Sequence, residues 1–90
     1  MAVLFVIDPL DNVATALEDL APGETAFAGG MKGMLRIREP IERGHKAALR
    51  DIHQGTMVVK HGHPVAIAVR DIFAGEWVHT HNAKSMSDQE

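Results

Sequence analysis

Ninety residues with no cysteine, four per cent aromatics, and a formal charge of −3 from nine basic and twelve acidic side chains set the first bounds. They exclude a disulfide framework, a thiolate metal site and a cysteine nucleophile, and they supply neither the basic footprint nor the stacking platforms of a nucleic-acid binder. A chain this short makes one domain burying about two thirds of its unfolded surface, so its core is thin and a partner is expected, another polypeptide or a second copy in a homo-oligomer. Cysteine-free composition fits a reducing compartment, the cytoplasm.

The apolar run Ala2-Val3-Leu4-Phe5-Val6-Ile7 is too short to cross a membrane and lacks a signal peptide's basic flank and cleavage site, so it reads as a buried strand. Turn residues Asp8, Pro9, Asp11 and Asn12 close it. Residues 13–20 fit a helical stripe and a strand face equally well, and a repeat arbitrates. Ala16-Leu17-Glu18-Asp19-Leu20-Ala21-Pro22-Gly23, Ala48-Leu49-Arg50-Asp51-Ile52-His53-Gln54-Gly55 and Ala68-Val69-Arg70-Asp71-Ile72-Phe73-Ala74-Gly75 share one pattern. The third copy follows Val65-Ala66-Ile67, whose β-branched alternation favours extended backbone for all three. Each copy is read as a strand stopping at a corner, its Asp capping a single helical turn and its Gly taking positive φ.

Gly29, Gly30 and Gly33 predict a flexible turn before Met34-Leu35-Arg36-Ile37-Arg38-Glu39, a half-exposed strand with Leu35 and Ile37 inward. Pro40 stops it, and residues 41–46 form a loop bending at Gly44. Residues 56–60 and 65–69 are two strands flanking a hairpin turn at His61-Gly62-His63-Pro64. The sum is an all-β domain of roughly seven short strands over residues 1–84, with a fraying polar tail at 85–90.

Six histidines fall between positions 45 and 81. On a strand, His79 and His81 share a face about 6.5–7 Å apart, with Trp77 beside them and Val78 turned to the core, so the two imidazoles are candidates to meet one metal or one anionic substrate. Exposed polar sequence is the commoner meaning of such a pair. Two nitrogens also do not complete a metal site, which needs at least one more ligand from His45, an acid or another chain. His45-Lys46, after a glycine hinge, puts a base that titrates near neutrality beside a cation suited to a carboxylate.

Four motifs in order carry a resemblance: Asp11-Asn12-Val13-Ala14; Arg43-Gly44-His45-Lys46 with Ala48-Leu49, Asp51-Ile52 and Gly55; Val59-Lys60 with Gly62; and Asp71-Ile72, Ala74-Gly75-Glu76, Val78-His79 and His81-Asn82. The chain resembles the small SAF-type domain, a β-clip fold, of altronate and galactarate dehydratases. His61 stands where that pattern has Tyr, Ala66 where Gly is common, and Trp77 where another His is frequent. The resemblance implies a hydro-lyase acting on a small hydroxy acid, with this chain as a small subunit working only alongside a large catalytic dehydratase subunit. It implies iron(II) or a similar divalent metal, held mainly by that large subunit, with His79 and His81 as this chain's candidate ligands. For such an elimination His45, His79 and His81 are the candidate catalytic residues, as acid/base or substrate-binding groups, and Lys46, Asn82 and Asn12 the candidate substrate-binding groups. Two alternatives stand beside it: the small subunit of a sulfolactate sulfo-lyase, and a non-catalytic sugar-acid-binding or interaction module.

Overall fold

The computed structural model describes residues 2–6, 8–28 and 34–86. Among them lie nine strands: β1 (Ala2–Phe5), β2 (Val13–Ala16), β3 (Thr25–Ala28), β4 (Met34–Arg36), β5 (Lys46–Ala48), β6 (Met57–Lys60), β7 (His63–Ala68), β8 (Trp77–Val78) and β9 (Ala83–Ser85). The all-β expectation holds, with nine strands in place of seven. The two additional ones, β3 and β9, are runs of three or four residues without strong alternation. Ser85 belongs to β9 rather than to a tail, and the expected fraying at 87–90 and glycine turn at 29–33 lie outside the described residues. No helix among the described residues is long and apolar enough to cross a membrane.

Six strands form one sheet in the order β4-β3-β1-β2-β5-β8, and β6-β7-β9 form a second. Only β1 with β3 is parallel; the other pairs are antiparallel. Leu4, Ala14, Ala16, Ala26 and Ala47 pack on one face of the large sheet with Leu20, Ile37, Ile41 and Leu49. Val13, Ala48 and Val78, on its other face, meet Val58, Ala68, Ile72 and Ala83 of the second sheet and its corners. Alanines dominate the strand interiors, which lets backbones approach closely in a thin core.

The repeat is fourfold. Beside the three copies read from sequence, Ile37-Arg38-Glu39-Pro40-Ile41-Glu42-Arg43-Gly44 makes the same corner, so the loop expected at 41–46 is a structured element. In every copy the residue after the glycine donates to the carbonyl three positions back: Glu24 to Ala21, His45 to Glu42, Thr56 to His53 and Glu76 to Phe73, at 2.9–3.1 Å. The glycines, at φ of 85–89°, hold the position that a type II turn reserves for them.

Copies interlock in two pairs. Ala16 donates to the His45 carbonyl and accepts from Gly44, while Ile37 donates to Glu24 and accepts from Gly23. Ala48 engages Gly75 and Glu76 in the same way, and Ala68 engages Gly55 and Thr56. The aspartates do not cap their own turns as expected, because each reaches the turn of its partner copy. Asp19 accepts from the Arg43 N–H, Asp51 from Ala74 and Asp71 from Gln54, at 2.8–2.9 Å. The fourth such bond is missing at both ends, since Pro40 stands where the carboxylate belongs and Pro22 has no N–H to offer.

The β6–β7 turn is also tighter than expected. His61 and Gly62, both at positive φ (55° and 77°), connect Lys60 directly to His63, and His63 and Pro64 lie within β7.

Candidate functional site

The turn at Gly44 delivers His45 to the start of β5, where it is held by its N–H to Glu42 and its carbonyl to Ala16. β5 pairs with β8 so that Ala47 faces Trp77 and Lys46 faces Val78, and this register carried one step further sets His45 opposite His79. The rings meet. His45 and Trp77 lie 5.5 Å apart between centroids, His45 and His79 5.5 Å, and Trp77 and His79 4.9 Å, all within 20° of parallel. His81 lies 5.0 Å from Trp77, tilted by 41°.

β8 ends at Val78, so residues 79–82 form a turn and the strand-face geometry expected for His79 and His81 does not apply. The turn is closed by Asn82, which is 2% exposed. Its side-chain oxygen accepts from the His79 N–H at 2.9 Å and its amide nitrogen donates to the Trp77 carbonyl at 2.7 Å. Both histidines reach Trp77 from this turn, making the tryptophan the hub of the cluster.

Asn12, at the head of β2, is engaged in the same manner: its amide donates to the Met57 carbonyl and its oxygen accepts from Val59 N–H. The amides of Asn12 and Asn82, which the resemblance offers to a substrate, therefore hold backbone here. Asp11 beside Asn12 is also buried and accepts from the Gly62 N–H at 2.8 Å, tying the second sheet's hairpin to the large sheet.

Lys46 emerges on the opposite face of β5 from His45. It lines a cleft of about 290 Å³ between the two sheets with His79, Thr80, Val65, Val78 and Ala83. Burial pushes its ammonium pKa below the ordinary lysine range, and the neighbouring charge of Lys60 lowers it further. His79 is the residue common to this cleft and to the ring cluster.

On the other side lies a cavity of about 280 Å³ lined by Glu39, Pro40, Glu42, His45 and Trp77. Sequence reasoning missed Glu39, whose carboxylate accepts from the backbone N–H of Trp77 at 3.0 Å; a contact between residues 38 positions apart leaves no local signal. His45 Nδ1 and Trp77 Nε1 are buried without a hydrogen-bond partner among the described residues. Both residues line this cavity.

Among the described residues no three His, Cys, Asp or Glu side chains gather as a metal site. His79 and His81 each lie against the Trp77 indole. The residues present do not by themselves fit a metal centre.

A family description, the altronate/galactarate dehydratase SAF domain, matches residues 2–86. The chain is 44% identical over 79 residues to the altronate dehydratase of Escherichia coli (strain K12), covering 88% of this chain and 16% of that protein. It is 41% identical over 75 residues to the altronate dehydratase of Bacillus subtilis (strain 168), covering 83% and 15%. It is 37% identical over 91 residues to (2R)-sulfolactate sulfo-lyase subunit alpha of Chromohalobacter salexigens, covering 94% of this chain and 97% of that subunit. The chain thus spans about a sixth of the altronate dehydratases it matches and nearly all of the sulfo-lyase subunit.

Proposed function

This chain belongs to the altronate/galactarate dehydratase SAF-domain family, and from that premise we propose that it is the small subunit of a hydroxy-acid dehydratase, eliminating water from a sugar acid together with a larger catalytic polypeptide. The observation supporting this reading is the identity of 41–44% to altronate dehydratases over most of the chain. In such an elimination a base takes the proton α to the carboxylate, its electron pair becomes the C=C bond, and hydroxide leaves the β carbon with a proton from an acid. The enol then becomes the keto acid.

Lys46 supplies a cation for the substrate carboxylate from a cleft partly withdrawn from water. His79, at the join of that cleft and the ring cluster, is placed for proton transfer, with His45 and His81 as the other acid/base groups. Asn82 is a positioning residue, setting the backbone from which Trp77 and His79 project. The divalent metal, iron(II) in the first instance, belongs to the catalytic polypeptide, and this chain's contribution is made without it.

The test is a co-purified complex carrying His81→Ala. Turnover is expected to fall by roughly 10²-fold with the complex intact; undiminished turnover would remove His81 from the mechanism. The end-to-end match to a sulfo-lyase subunit favours a second reading, elimination of sulfite from a sulfo acid. Assaying the same complex for sulfite release and for dehydration separates the two.

A further inference from the structure

The two faces of the large sheet are unequally covered. Cross-strand registers place Val13, Thr15, Lys46, Ala48, Val78, Phe5, Val3, Phe27 and Met34 on one face. Where β2, β5 and β8 contribute, that face is closed by the second sheet, and Val13, Ala48 and Val78 are each 1% exposed or less. Where β1, β3 and β4 contribute, no other described element covers it. Met34 faces Phe27 and Phe27 faces Val3. Leu17, directly after β2, continues the register opposite Val3, and Phe5 lies two residues along β1.

These five side chains are 41–50% exposed and form one contiguous apolar patch. Such a patch, with Phe27 and Val3 at its centre, Met34 on the edge strand and polar residues at its rim, has the composition of a protein interface. Its rim is Thr25 and Arg36 on one side, Thr15 and Lys46 on the other.

We propose that this bare face is the docking surface for the catalytic polypeptide, an inference resting on the reading of the chain as a dehydratase subunit. Two observations select that occupant. Phe5, Thr15 and Lys46 follow one another in a single cross-strand row, the last two half-buried, so a polypeptide seated on the uncovered part lies beside the Lys46 cleft. In the altronate dehydratases the matching segment is 15–16% of a much longer chain, which supplies a body large enough to cover it.

The experiment measures association of the 90-residue chain with the catalytic polypeptide, supplied separately, for Phe27→Lys, Leu17→Lys and Val69→Lys. Val69 is as exposed, at 46%, but lies off the face; Leu17 lies outside the strands, so its replacement leaves the sheet ladder intact. Both face variants are expected to weaken association at least tenfold with unchanged melting of the free chain, and Val69→Lys to leave it as it was. Wild-type affinity in both face variants overturns the proposal, as does equal weakening by Val69→Lys. Loss of self-association in Phe27→Lys with unchanged affinity for the polypeptide also overturns it, identifying the face as a contact between copies. Failure of the wild-type chain to bind at all overturns the subunit reading first, and this inference with it.

Discussion

At the scale of residues, Lys46 links the site to pH. Burial first, and then the charge of Lys60, hold its pKa below the ordinary lysine value. The folded state therefore disfavours the ammonium form: a stability penalty is present while Lys46 is charged and is lifted as pH rises from its lowered pKa toward the unfolded value. For a carboxylate ligand the sign is opposite, because its cation disappears as pH rises through that lowered pKa. If the proposed assignment holds, KM for the hydroxy acid is expected to rise at a lower pH than an ordinary lysine would give, and Lys60→Ala to move that rise upward by removing one of the two causes. An unmoved profile in Lys60→Ala would leave Lys60 out of the account. The sequence makes His45, Lys46, His79 and His81 visible as chemistry-bearing letters. It does not reveal that β5 alternation sends His45 and Lys46 to opposite faces, nor that Asn12 and Asn82 serve backbone, because an asparagine that closes a turn and one that binds a ligand look the same in sequence.

At the scale of elements, the corner is the unit. Three copies are legible because each carries Ala, Asp, an aliphatic residue and Gly at fixed spacing. The fourth is hidden because Ile37 replaces the alanine and Pro40 the aspartate, while the backbone bonds that define the corner leave no mark on side-chain identity. The four glycines share a conformation but not an environment. A Cβ on Gly55 meets nothing within 4 Å, whereas one on Gly75 overlaps the Arg36 carbonyl, part of the backbone leading out of β4. Gly55→Ala is expected to cost only the positive-φ penalty of about 1–2 kcal/mol. Gly75→Ala must also displace backbone and is expected to cost clearly more, read as the difference between their urea midpoints. Equal midpoints would mean that the Gly75 corner yields freely.

At the scale of the whole molecule, the sequence yields the all-β class and most strand positions, but not the division into two sheets. That depends on pairings such as β5 with β8, between strands about 30 residues apart. The joint between the sheets is a buried carboxyl. Burial alone would raise the Asp11 pKa, but hydrogen bonds from the backbone N–H groups of Gly62, His61 and Asp8, with the His61 charge, bring it below the usual carboxylate value. A depressed carboxyl pKa stabilises the fold above the unfolded value of about 3.9 and loses that contribution as pH falls through the folded value. Wild-type stability is thus expected to drop more steeply below about pH 4 than that of Asp11→Asn, measured by denaturant unfolding across pH. Parallel curves would relieve Asp11 of this role.

The paired corners bear on how the chain reaches this fold. One pair is closed by residues 16–45 and the other by residues 48–76, two stretches that follow one another without overlap. Neither pair needs the other to bring its ends together, and each closes a loop of only a few tens of residues, for which the entropy grows slowly with length. On loop-closure entropy alone, either pair is expected to be able to form first. The second carries two reciprocal carboxylate bonds where the first, with Pro40 and Pro22 at the corresponding positions, carries one.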